Sequence, residues 1–281
     1  MGWCNMGRCF LHQKQLKKMD KIGLIGGGFQ HAFSTTLWKK PKYFEWSKNK
    51  IEDITFFIDE SIINGINSKC KKKIAWIVES RCIVPNVISF LKNNIQLVLD
   101  SYDLIFTHDK TLYELSEKII YIPSHGYWIE EPKIYDKSKL VSMISSNKNF
   151  SNGHRKRLMF VEKYRNYVDL YGRGFNEITK KDDALKDYMF SLVIENDTYP
   201  TYWSEKILDC FATGTVPIYY GSPDIGEHFN MDGIILLNDQ FDISKLNSDE
   251  YTKRMEAIID NFERSLEFDV IEDIIYKKWI K

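Results

Sequence analysis

The chain has 281 residues, enough for two domains of ordinary size. Its 39 Lys and Arg residues balance 39 Asp and Glu residues, so the formal net charge is zero. That balance disfavours a nucleic-acid binder that works by neutralising phosphates, although a local basic cleft stays open. The 43% hydrophobic and 28% charged content is that of a globular chain.

Five cysteines are scattered, odd in number and lack a C-x-x-C pair. They read as reduced thiols in a reducing compartment, not as a disulfide framework or a zinc site. No apolar run reaches membrane-spanning length and no secretory h-region follows the start, so a soluble chain is expected. The sequons at Asn149 and Asn196 then carry little weight. The 16 Tyr, 17 Phe and 7 Trp suit sugar and base stacking, and equally suit a large ordinary core.

In chain order, residues 1–18 read as a tail, with Met19 as an alternative start. Residues 21–25 read as a first strand, followed by Gly26, Gly27 and Gly28. The dinucleotide fingerprint is incomplete, because His31 replaces its third glycine. With His31, Ser34 and Thr35 these glycines either line a cleft or make a ligand-free turn. Further strands are expected at 54–58, 73–78, 104–107 and 119–122, with a helix beginning at Pro85, and a polar linker follows around 127–136. Strands alternating with short helices predict a Rossmann-like first half.

The second half opens with a strand at 140–145, a helix over 152–167 that starts with His154, Arg155, Lys156 and Arg157, and a strand at 168–171. A polar helix is expected over 181–188. The most informative stretch then runs from Phe190 to Gly221. Residues 190–194 read as a buried strand, and Ser204 can cap a helix carrying Ile207, Leu208, Phe211 and Ala212 that Gly214 ends. Residues 216–220 read as a second strand. After Asp224 come a short turn, a last strand near 234–237, and a charged helical remainder from 242.

Strand–loop–helix–strand is the unit of a parallel α/β sheet, and ligands sit beyond the carboxyl ends of such strands. That edge holds Glu195, Asn196, Tyr199, Tyr202, Glu205 and Lys206. A helix N-terminus binds phosphate, and Lys206 in its first turn adds a full charge where the helix dipole disfavours one. Glu205 can accept from ribose hydroxyls, and Tyr202 can stack on a ring or donate to a phosphate. The alternative is a solvated helix start with an ordinary Glu–Lys surface pair.

The wording of this stretch, F-x-x-x-x-E-N…Y-x-[ST]-E-K-[IL]…V-P-I-x-x-G, resembles the donor-binding signature of family 10 glycosyltransferases, the α-1,3/4-fucosyltransferases. Here it stands as Phe190, Glu195, Asn196, Tyr202, Ser204, Glu205, Lys206, Ile207, Val216, Pro217, Ile218 and Gly221, with Ser204 where the family usually has Thr. The segment from Ser145 to Gly172 also resembles the family, whose helix-start arginine binds the donor pyrophosphate. Spacing to Val168–Gly172 favours Arg155, with Arg157 in reserve. The family's catalytic carboxylate often follows a strand in an E-S-P context. Glu79 and Ser80 are similar, but Arg81 replaces the proline, and an ion pair between Glu79 and Arg81 or a neighbour is the competing reading. Asp109 and His31 stand next in line as bases.

The resemblance implies an α/β fold of GT-B type, two Rossmann-like domains facing a central cleft. The expected boundaries are 1–18 for the tail, 19–135 for the acceptor side and 136–281 for the nucleotide-sugar side, with room for the final helices to cross back. It implies inverting transfer of a sugar, L-fucose from GDP-fucose, to a glycan hydroxyl. Glu79 would be the base, and Arg155 or Arg157, Asn196, Tyr202, Glu205 and Lys206 would hold the donor. No bound cofactor and no metal are expected, and no D-x-D occurs in the chain. Animal members carry a membrane anchor, so a soluble, cytoplasmic bacterial- or viral-type member is implied. Another nucleotide sugar as donor, or a non-catalytic nucleotide-sugar binder, remain as alternatives.

Overall fold

The computed structural model describes residues 19–281 apart from 28 and 31. The expected tail and the expectations placed on Gly28 and His31 therefore lie outside the described residues. Six parallel strands form the first sheet: β1 (Asp20–Ile25), β2 (Phe44–Lys48), β3 (Ile54–Ile58), β4 (Lys72–Trp76), β5 (Leu104–Thr107) and β6 (Ile119–Tyr121), in the order β2-β1-β3-β4-β5-β6. Helices α1 (Ser61–Gly65), α2 (Pro85–Asn93), α3 (Ile95–Ser101) and α4 (Lys110–Tyr113) connect them. The second sheet contains β7 (Lys139–Ile144), β8 (Asp169–Tyr171), β9 (Tyr188–Ile194), β10 (Val216–Tyr220) and β11 (Ile235–Leu236), in the order β11-β10-β9-β7-β8 and again parallel. Its helices are α5 (Asn152–Tyr164), α6 (Glu205–Thr213), α7 (Ser248–Thr252) and α8 (Met255–Ser265), and α9 (Ile271–Ile275) follows them.

Each sheet is apolar on both faces, as parallel strands covered by helices require. On β3 and β4, Phe56, Ile58, Ile74 and Trp76 enter one core, while Phe57, Ala75 and, just after β4, Ile77 enter the other. On β9 and β10, Phe190, Leu192, Ile194, Val216 and Ile218 face one side, and Val193 and Tyr219 the other. The chain end is tied to the first sheet: Ile271, Ile275 and Tyr276 enter the core built from Ile22, Phe44 and Trp76. The Tyr276 hydroxyl donates to Asp20 at 2.8 Å.

Two local expectations fail. Residues 181–188 do not form a helix. A single 3-10 turn spans Lys181–Ala184 and β9 already begins at Tyr188, because Tyr188 pairs with Lys139 of β7 and its hydroxyl donates to Asp169 at 2.8 Å. Strand β2 is missed as well, since an edge strand with one covered face needs little apolar sequence: of its five residues only Phe44 is fully buried. Cys70, Cys82 and Cys210 are free thiols. No described helix is long and apolar enough to cross a membrane.

Candidate functional site

The order of the second sheet reverses between β7 and β9, which creates a crevice at their carboxyl ends, the place where open α/β sheets bind ligands. A cleft of about 460 Å³ lies there. The second sheet contributes Ser145, Ser146, Asn196, Tyr202, Ser204, Glu205 and Lys206, and Glu79 reaches it from the end of β4.

Helix α6 forms where the sequence places its signals. The Ser204 hydroxyl caps it by accepting the Lys206 N–H at 3.4 Å, and Gly214 ends it with φ +69°, a left-handed conformation that glycine adopts without penalty. Glu195, 2% exposed at the end of β9, fixes that start. Its carboxylate accepts the Ser204 N–H at 3.0 Å and the Ser204 hydroxyl at 2.7 Å. Lys206 lies 3.5 Å from Glu195 and 3.3 Å from Glu205, and its ammonium donates to the Ser204 hydroxyl at 3.0 Å. The solvated surface pair is therefore not what the fold builds: Lys206 is a half-buried cation in an acidic cradle.

Glu205 is held from several sides. Lys181 approaches it at 3.3 Å and Asp209 at 2.6 Å, with its ammonium 4.0 Å from the centre of the Trp128 ring. Burial alone would raise the Glu205 pKa, but the Lys181 and Lys206 ammoniums hold it well below the ordinary carboxylate value. Burial dominates at Asp209, which is pushed up to about 6 against the pull of Lys181. Lys181, Trp128 and His125 carry no recognisable motif, and a long-range contact alone brings them here.

Helix geometry separates the two arginines. His154, Arg157, Val161 and Tyr164 share the buried face of α5, whereas Arg155 points outward and donates to Asn152 Oδ1 and the Asn149 carbonyl. The i, i+4, i+7 spacing from Arg157 through the apolar Val161 and Tyr164 carried that signal in the sequence. Arg157 is 7% exposed and lines the cleft. Its Nη1 donates to Asn196 Oδ1 at 3.4 Å, and its buried Nε has no hydrogen-bond partner among the described residues. Burial lowers its pKa. Gly153 lets α5 approach this closely, since a Cβ there would collide with the Asn196 carbonyl.

Glu79 does not pair with Arg81. Arg81 instead holds Asp109 through two hydrogen bonds of 2.5 Å, and Asp109 also caps α4. This removes the competing ion-pair reading and also takes Asp109 out of consideration as a base. The Glu79 backbone is clamped: Val78 N–H and Glu79 N–H donate to Asp59 at 2.9 and 3.2 Å. Burial pushes Asp59 up to about 7, with the Glu79 charge adding to the shift. The Glu79 carbonyl lies 3.2 Å from His108 Nε2, so Nε2 bears the proton and Nδ1 accepts from the Tyr199 hydroxyl at 3.1 Å. Burial lowers the His108 pKa to about 4, which leaves it neutral. The Glu79 carboxylate itself has no hydrogen bond or ion pair among the described residues. Burial raises its pKa, and Lys206 partly offsets this. Tyr202, 3% exposed, is packed at 5.1 Å from both Tyr199 and His108, so it offers the cleft an edge rather than a free face.

The cleft is cationic although the chain is neutral. Lys148, Arg157, Arg173, Lys180, Lys181 and Lys206 line it against Glu79, Glu205 and Asp209. His125 and His154 add no charge, because burial lowers both to about 4. A surplus of cations, an underbonded buried guanidinium and a helix N-terminus together suit a multiply charged anion.

Residues 134–262 match the model of the glycosyltransferase family 10 (fucosyltransferase) C-terminal domain. The chain is 36% identical over 66 residues to an alpha-(1,3)-fucosyltransferase of Helicobacter pylori, a match covering 24% of this chain and 14% of that protein. Among solved structures, an alpha1,3-fucosyltransferase with GDP superposes with a TM-score of 0.53 at 15% identity, covering 93% of this chain and 94% of that one. A second alpha1,3-fucosyltransferase structure gives 0.52 at 15% identity, covering 95% and 90%. At that identity the likeness is one of fold, and the fold is GT-B.

Proposed function

We propose that the chain, whose residues 134–262 match the glycosyltransferase family 10 (fucosyltransferase) C-terminal domain, transfers L-fucose from GDP-fucose to a glycan hydroxyl with inversion. The observation that carries the reading is Arg157, a buried guanidinium that lines the same cleft as Glu79 and whose Nε has no hydrogen-bond partner among the described residues. A buried cation without a carboxylate partner costs stability, and a diphosphate restores what it lacks.

In the reaction the acceptor oxygen attacks C1 of the sugar while the bond from C1 to the β-phosphate oxygen breaks. The hydroxyl proton passes to the Glu79 carboxylate, and GDP departs with the bonding electrons. Arg157, Lys206 and the N-terminus of α6 stabilise the charge that grows on the leaving diphosphate, so the chemistry proceeds without a divalent ion. Glu205, kept ionised by Lys181 and Lys206, accepts from the ribose hydroxyls. Asn196 fixes Arg157, and the Tyr202 edge closes the pocket. A raised Glu79 pKa makes it a stronger base at neutral pH.

The test is Glu79→Gln, which keeps size but cannot take a proton. GDP affinity and melting temperature are expected to stay as in the wild type, while transfer falls by roughly 10²–10⁴-fold. The acid limb of the wild-type rate profile is expected above the ordinary carboxylate range. Transfer by the Gln variant at a near-normal rate would remove Glu79 as the base.

A further inference from the structure

Residues 33–38 form a tight turn beside the cleft. Phe33 N–H donates to the Leu37 carbonyl at 2.7 Å and Leu37 N–H to the Ser34 carbonyl at 3.2 Å. Leu37 stands at φ +57°, a conformation that an ordinary side chain keeps only where its surroundings over-determine it. They do so here. Glu272 of α9 accepts the Thr35 N–H at 2.7 Å and the Thr35 hydroxyl at 2.9 Å, and the Trp128 indole N–H donates to the Thr35 carbonyl at 3.0 Å. Lys39 pairs with Asp269 at 2.7 Å and lies 3.6 Å over the Tyr127 ring.

The burial pattern of this pinned turn is inverted. Ser34, Thr35 and Thr36 are at most 2% exposed, while Phe33 is 48% and Trp38 60% exposed. A single exposed apolar side chain needs no explanation, but here two large aromatics at the two ends of one clamped turn are exposed together. Its position gives it a purpose: Leu37, between them, lines the same cleft as Glu79. The turn follows β1 of the first sheet, whereas the diphosphate cations Arg157 and Lys206 come from helices of the second.

We infer that Phe33 and Trp38 are the acceptor platform, binding the acceptor as a pyranose ring packed on its C–H face. A pyranose carries hydroxyls around its rim and an apolar C–H face. An aromatic ring buries that face, and its electron-rich surface attracts the polarised C–H groups. Lys40 sits 4.8 Å over the Phe33 ring, so one face of Phe33 is already occupied and the other is left for a sugar. A pre-ordered turn spends little entropy on binding. Sugar packed here would lead a hydroxyl past Leu37 toward Glu79. This inference rests on the glycosyl-transfer reading, and it assigns the half of the site that the donor residues leave undefined.

The experiment uses the full chain, GDP-fucose and an array of mono- and disaccharides, and takes the best wild-type acceptor as probe. Trp38→Ala, Phe33→Ala and Trp38→Tyr are compared for acceptor KM, hydrolysis of GDP-fucose without acceptor, GDP affinity, melting temperature and solution mass. Acceptor KM is expected to rise about tenfold in Trp38→Ala, less in Phe33→Ala, and to recover in Trp38→Tyr. Donor hydrolysis and GDP affinity should stay within about twofold. An unchanged acceptor KM overturns the platform, and a fall in melting temperature or in mass alongside it would assign the patch to the chain itself or to a second copy. Failure of the underlying reading looks different: the wild type would then neither hydrolyse GDP-fucose nor transfer from it, and the platform would fall with it.

Discussion

Arg157 predicts opposite effects on stability and on binding. Arg157 is 7% exposed, has no ion-paired carboxylate among the described residues, and is held by one 3.4 Å hydrogen bond from Nη1 to Asn196. Its buried Nε makes none. Burial lowers its pKa, which means that the folded state disfavours the charge. Replacing it by an apolar chain of similar length, Arg157→Met, removes that cost and should leave the melting temperature unchanged or raise it. Binding should move the other way. One hydrogen bond between charged groups is worth about 1.5–3 kcal/mol, so the GDP dissociation constant should rise roughly 10- to 150-fold. Arg157→Lys keeps the charge but loses the planar fork, and should fall between the two. Calorimetric titration with GDP and a thermal melt of the free protein supply both readings. A lower melting temperature with unchanged GDP affinity would refute the reasoning and make Arg157 a structural residue.

Lys206→Ala should cost about 2–3 kcal/mol in kcat/KM for the donor, the worth of one preorganised oxyanion donor, and kinetics within twofold of wild type would return Lys206 to a structural pairing with Glu195 and Glu205. Transfer should persist in excess EDTA, and a complete loss restored by manganese or magnesium would remove the diphosphate role given to Arg157 and Lys206. Glu272 gives a pH signature, since burial raises its folded pKa to about 7, above the unfolded value. Its stabilising contribution is therefore present at low pH and lost as pH rises through 7. Glu272→Gln cannot ionise, so its stability relative to wild type should improve between pH 5 and pH 8 by up to roughly 3 kcal/mol, measured by urea unfolding. A difference independent of pH would refute the assignment.

Local chemistry made much of this protein legible in its sequence. Apolar runs with turn residues at their ends located β3, β5, β9 and β10 closely, because parallel strands buried on both faces must be continuously apolar. Ser204 and Gly214 fixed the two ends of α6, because capping is satisfied within a few residues. The spacing of Glu195, Asn196, Ser204, Glu205 and Lys206 placed them at one strand edge, and the fold keeps them there. Helical phase also places Arg157, with Val161 and Tyr164, on the buried face of α5 and Arg155 on the exposed one.

The rest depended on contacts between residues far apart in the chain. Lys181 reads as an ordinary polar residue until the turn it occupies is set against Glu205 and Asp209. The neutral state of His108 follows from burial between Glu79 and Tyr199, which no local pattern encodes. Arg81 was a neighbour of Glu79 in sequence and a candidate partner. The tertiary structure sent its guanidinium to Asp109 instead, 28 residues away, and left the Glu79 carboxylate facing the cleft. The inverted turn at 33–38 required α9, more than two hundred residues later, to supply Glu272. Sequence determines which side chains can cap, pair or bury within a helix turn or strand; burial and charge across the cleft exist only once both sheets are assembled.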